Sequence, residues 1–180
     1  MLGHRRALAF TLVGVAIVVV GVVLAVAVLD SGDDSGSNAV SSPLSASIAR
    51  QVPASAPFEG LGELNVGIGG RCLRLAVADS LAERVAGLRD HTDLGPYDGM
   101  LFVFPGPTET AFTMSGVTVP LEIGFYAPDG SRRNAVLMRP CPHKAESECP
   151  VYRADGQFLY AVETLKGGLP AGPVTACSPG

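Results

Sequence analysis

Two glutamates sit inside apolar, strand-like runs: Glu122 in PLEIGFY and Glu163 in LYAVETL. Two carboxylates held about 5 to 9 Å apart can serve as acid and base on a glycosidic bond. That pair is the one enzyme-like arrangement in the chain. Other chemistry has less behind it. No Gly-x-Ser-x-Gly elbow is present, and His91 and His143, the imidazoles outside the N-terminal segment, stand in no recognisable triad. His91 lies between Asp90 and Asp93 in RDHTDLG, which reads as a solvated loop. No His-Glu-x-x-His or calcium-loop pattern occurs, so neither a metal nor a cofactor is expected, and no residue is assigned a catalytic role.

Four cysteines, Cys72, Cys141, Cys149 and Cys177, give three possible pairings. Cys141 and Cys149 bracket the short loop CPHKAESEC and are expected to pair, leaving Cys72 to join Cys177. The competing reading is a metal site from Cys141, His143 and Cys149.

Strands must position these residues. RCLRLAVAD alternates, with Leu73, Leu75 and Val77 on one face. Ser80 and Glu83 form a capping box, and Leu81, Val85 and Leu88 then mark a short amphipathic helix with its apolar stripe on the core. GMLFVF is apolar on both faces, as in a central strand, and Pro105-Gly106-Pro107 is expected to end it. Pro128-Asp129-Gly130 and Asp155-Gly156 are turn signals. About seven short strands and one helix predict a mainly β domain, a sandwich, jelly roll or barrel, with a mixed α+β layer fold as alternative.

In PLEIGFY a period of two puts Leu121, Ile123 and Phe125 on the core face and Glu122, Gly124 and Tyr126 on the other. Gly124 leaves room beside the carboxylate for a side chain, a backbone or a ligand. Arg84, at the flank of the helix stripe, can pair with Glu122 or receive an anion. Met100 and Met114 read as core filler, with Met114 at the groove's border. The expected ligand groove is therefore Arg84, Met114, Glu122, Gly124 and Tyr126.

The whole chain has 180 residues and a formal net charge of −4. Its charges are scattered, which excludes a nucleic-acid footprint. Residues 7–29 carry no charge and are long enough, at about 1.5 Å per residue, to cross a hydrocarbon core roughly 30 Å thick. His4, Arg5 and Arg6 precede this run, and Asp30, Asp33 and Asp34 follow it, so the 1–6 stub is expected in the cytoplasm and the rest outside. Cleavage near Ala25-Val26-Ala27 is the alternative and would secrete the domain. Residues 30–57, rich in Ser, Gly, Ala and Pro, read as a flexible tether, and 58–180 as the outer domain.

VADSLAERVAGL, GMLFVF, FTMSGVTVPLEIGFYAPDG and LYAVETLKGG occur in an order that resembles the domain of unknown function 192 family, from about Arg71 to Thr175. The resemblance implies a compact, mostly β, often exported domain without an established activity. The family pattern reads Phe-Trp-Met-Lys-Asn-Thr before a Pro-Leu-Asp strand. Here Phe112 and Met114 match, Thr113 stands in the Trp place, Ser115, Gly116 and Val117 replace Lys, Asn and Thr, and Glu122 replaces Asp. Together these features lead to the expectation of a membrane-tethered extracytoplasmic domain that binds a small molecule, a glycan or an envelope protein. A structural envelope module without a ligand and a carboxylate-dependent hydrolase of envelope polymers are the alternatives.

Overall fold

The computed structural model describes residues 43–177. The stub, the apolar run 7–29 and the tether up to residue 42 lie outside the described residues. No described helix is long and apolar enough to cross a membrane. The described residues fall in one compact unit, which holds both disulfides and both hydrophobic clusters.

The unit opens with α1 (Pro43–Ile48) and the two-residue β1 (Val52–Pro53), then the hairpin β2 (Gly62–Ile68) and β3 (Arg71–Ala78). Next come α2 (Leu81–Ala86) and β4 (Gly99–Thr108), followed by β5 (Phe112–Thr113), β6 (Leu121–Tyr126) and β7 (Arg132–Met138). The chain closes with β8 (Val151–Tyr152), β9 (Phe158–Leu165) and β10 (Val174–Ala176). The large sheet runs β1-β2-β3-β4-β9-β6-β7, with β10 also on β2, and β5 and β8 form a separate ribbon. The expected mainly β domain is present, but its strands gather in one large sheet rather than two comparable ones.

The reason lies in the middle of the chain. β3 and β4 are parallel, and a parallel pair needs a crossover, which α2 supplies. That βαβ step places β4 and then β9 at the sheet centre, buried on both sides. Leu73, Leu75, Val77, Leu101, Tyr160 and Val162 cover one face, and Met100, Phe102, Ile123, Phe125 and Ala161 the other. Each face then needs its own cover. Leu44 of α1 and Val174 of β10 close the first. Leu88, Leu94 and the disulfide-bonded loop at Cys141 and Cys149 close the second.

Several expectations change here. Residues 43–57 belong to the body rather than to a tether: Leu44 is buried, Ser45 Oγ lies 2.9 Å from Tyr160 Oη, and β1 pairs with β2. Gln51 Nε2 also donates to Asp79 Oδ2 at 2.7 Å and Ser55 N to Tyr97 Oη at 2.7 Å, so specific contacts dock a segment whose composition reads as flexible. β4 continues through Pro105-Gly106-Pro107 to Thr108, because its ladder with β9 breaks after Val103 and resumes at Thr108 opposite Phe158. Asp155-Gly156 does not close a hairpin, since β8 pairs with β5 whereas β9 pairs with β4 and β6.

Candidate functional site

α2 begins as its sequence dictates. Ser80 Oγ accepts from Glu83 N, and Glu83 Oε2 accepts from Ser80 N at 2.8 Å. The backbone N–H of Ser80, together with that of Asp79 at 3.0 Å, holds the Glu83 carboxyl below its usual range. The helix ends at Gly87, whose φ of 53° suits glycine. Six residues are too few to lay the expected stripe on the sheet. Leu81 is 72 % exposed and Val85 57 %, and only Leu88, beyond the helix, is buried.

Those two side chains instead edge a groove of about 830 Å³ between α2 and the far end of β4. Phe102, Phe104 and Phe112 form its aromatic lining, with ring centroids 5.2 Å apart for Phe102 and Phe112 and 6.4 Å for Phe104 and Phe112, both edge-on. The Pro105–Pro107 detour forms one lip. Glu146, carried on the loop closed by Cys141–Cys149, stands on the other side, 3.5 Å from Arg89 Nη2.

Glu163 also lines this groove. In β9 it pairs with Met100 of β4 and Ile123 of β6, so its neighbours on that face are apolar. It is 5 % exposed, no ion pair among the described residues involves its carboxyl, and its oxygens are not among the fully enclosed unpartnered atoms, which are Gln51 Oε1 and Tyr126 Oη. Burial alone pushes its pKa up to about 8.

The five residues expected to share a groove are not brought together. Arg84 lines the groove, donating from Nη1 to the carbonyl oxygens of Asp79 and Val103 with its guanidinium 5.1 Å from the Phe104 ring centre. It thus straps α2 to β4 and makes no pair with Glu122. Met114 is buried in the second-face core. Glu122, Gly124 and Tyr126 lie on the opposite face of the sheet, as their alternation with Ile123 requires. There Glu122 Oε2 accepts from Gly167 N at 3.0 Å and Leu169 N at 3.4 Å, fastening the loop after β9. The space beside Gly124 is filled by the chain itself: a Cβ there would lie 2.7 Å from Tyr126 Oη and 3.0 Å from Leu169 Cδ2. Tyr126 is fully buried, with burial pushing its phenol up to about 12.

This register also separates the two mid-strand glutamates. Glu163 shares a face with Ile123, whereas Glu122 is opposite Thr164 on the other side. Two carboxylates on opposite faces of one sheet cannot flank a single bond, so the hydrolase reading loses its geometry. Cysteine chemistry is likewise closed, because Cys72–Cys177 and Cys141–Cys149 are the two disulfides and leave no free thiol among the described residues. The His91 ring lies 4.7 Å from that of Phe58, tilted by 45°, beside a turn in which Asp93 Oδ1 accepts from Gly95 N.

Sequence reading passed over Leu81, Val85 and the three phenylalanines as site residues. A usable signal existed for Glu163. GMLFVF reads as a strand covered on both faces, and a carboxylate on the strand beside it has no solvated face to occupy.

A model of the DUF192 family, described as "Uncharacterized ACR", matches residues 64–172. The chain belongs to this family. None of the curated proteins matches it. A crystal structure of a protein of unknown function from Novosphingobium aromaticivorans is similar at 28 % identity and a TM-score of 0.57, over 68 % of this chain and 91 % of that one. A second, titled a putative transcription regulator from Sinorhizobium meliloti, is 23 % identical with a TM-score of 0.51, covering 63 % of this chain and 93 % of its own, and shows the fold alone. Within the DUF192 match, Phe112, Thr113 and Val117 line the groove, whereas Ser115, Gly116 and Glu122 do not.

Proposed function

We propose that this DUF192 chain is an extracytoplasmic module, held at the membrane by residues 7–29, that takes a small apolar molecule into the groove between α2 and β4. The supporting observation is the groove itself: aromatic walls, an edge of exposed Leu81 and Val85, and one buried carboxyl. Exposed leucine and valine at the rim of a cavity expose apolar area that an occupant would cover. The apolar walls favour such an occupant over a glycan, whose hydroxyls need polar partners. Two disulfides suit an oxidising compartment, and the positive flank before residue 7 favours a cytoplasmic N-terminus.

The test is titration of residues 38–180, the unit that contains its own core and disulfides, with the neutral fluorophore N-phenyl-1-naphthylamine. The chain has no tryptophan, so no indole emission competes with the probe. Saturable binding is expected, and Leu81→Asp with Val85→Asp should weaken it by about tenfold, since each removes apolar contact from an exposed position and leaves the core untouched. Non-saturable binding, or equal binding by the double variant, would refute the reading.

A further inference from the structure

We propose that the groove selects a molecule whose apolar body carries a protonated primary amine, with that amine resting against the Glu163 carboxyl. The inference deepens the groove reading above and rests on it. Aromatic walls supply affinity for an apolar body but discriminate little among its head groups. Discrimination must come from a polar atom inside, and Glu163 is the buried one, 5 % exposed.

The chemistry of that atom is specific. Its carboxyl is flanked on the sheet by Met100 and Ile123, neither of which can donate a hydrogen bond. The other charged groups lining the groove are Arg84, Arg89 and Glu146. Arg84 donates to the Asp79 and Val103 carbonyls, and Arg89 lies beside Glu146 at 3.5 Å. No cation of the described residues reaches Glu163. Burial disfavours the charged form of this groove-lining carboxyl, and a cationic donor carried by the occupant would offset that cost. An ammonium supplies both the donors and the opposite charge. A carboxylate or phosphate head group would instead meet the glutamate, once it is ionised, as a like charge.

A pH signature follows. Glu163 in the empty groove holds its proton until about pH 8, while an alkylamine resembles lysine and stays charged up to about pH 10. Pairing requires the carboxylate, so ammonium binding strengthens as pH rises from 6 to 8, by up to about tenfold per unit.

Displacement of N-phenyl-1-naphthylamine by octylamine, octanol and octanoate separates the contributions. At pH 8, octylammonium is expected to displace the probe at least tenfold more effectively than octanol, with octanoate weakest. The advantage shrinks toward pH 6. In Glu163→Gln, which keeps the side chain's size and cannot ionise, the advantage and its pH dependence vanish while the probe still binds. Equal displacement by octylammonium and octanol in the wild type, with normal probe binding, overturns the amine inference and leaves the groove reading standing. An advantage that persists in Glu163→Gln overturns it too. Absence of probe binding removes the groove reading itself.

Discussion

Glu163 and Glu122 show how one residue type takes two roles in neighbouring strands. Glu122 has backbone donors and fastens a loop, whereas Glu163 has none and lies at the groove. The difference affects stability. Glu163 has a folded-state pKa of about 8 against an ordinary value of 4.5, so its favourable contribution is complete below about pH 4.5 and is lost as pH rises through 8. Glu163→Gln should therefore gain stability relative to the wild type across that window, by roughly 3 to 5 kcal/mol between pH 4.5 and pH 9. Urea unfolding at a series of pH values measures this, and a difference independent of pH would show that the carboxyl is solvated or paired. The alternation of PLEIGFY placed Glu122 on the correct face. It carried no sign that the same face is also covered, because the loop with Leu169 that covers it lies more than forty residues further on.

Among the elements, α2 is the one whose role was least legible. Its capping box and starting residue are plain in the sequence, and both are present. Its apolar pattern continues to Leu88, yet the helix stops at Ala86, so Leu81 and Val85 turn toward the groove instead of the sheet. A periodic pattern gives a direction for side chains only while the helix lasts. The disulfides were easier to read, since a short cysteine-bounded loop leaves few choices. Their stabilities should differ. Cys72–Cys177 spans a sequence separation of 105 and Cys141–Cys149 one of 8. Chain entropy gives about 5 kcal/mol for the former and about 2.5 kcal/mol for the latter. Replacing each pair by alanine and comparing denaturation midpoints checks the order. A larger loss from the short loop would mean that packing at the buried Cys141 and Cys149, rather than loop closure, dominates.

At the scale of the whole molecule, a single sheet with a core on each face explains how a modest domain can leave a groove open. One face is closed by α1, β10 and the loop held by Glu122, while the other is closed by Leu88, Leu94 and the Cys141–Cys149 loop and left open where α2 borders the far end of β4. The mainly β character and central position of GMLFVF follow from composition and alternation. The single-sheet topology does not, because it depends on which distant strands pair. Membership of DUF192 leaves the ligand open. The central claim is that the occupant enters on the α2 side. The most direct measurement is an amide and methyl NMR map of residues 38–180 titrated with N-phenyl-1-naphthylamine. The account predicts shifts concentrated at Leu81, Val85, Phe104, Phe112 and Glu163. Shifts centred instead on Glu122, Gly124 and Tyr126, or no saturable shifts at all, would contradict it.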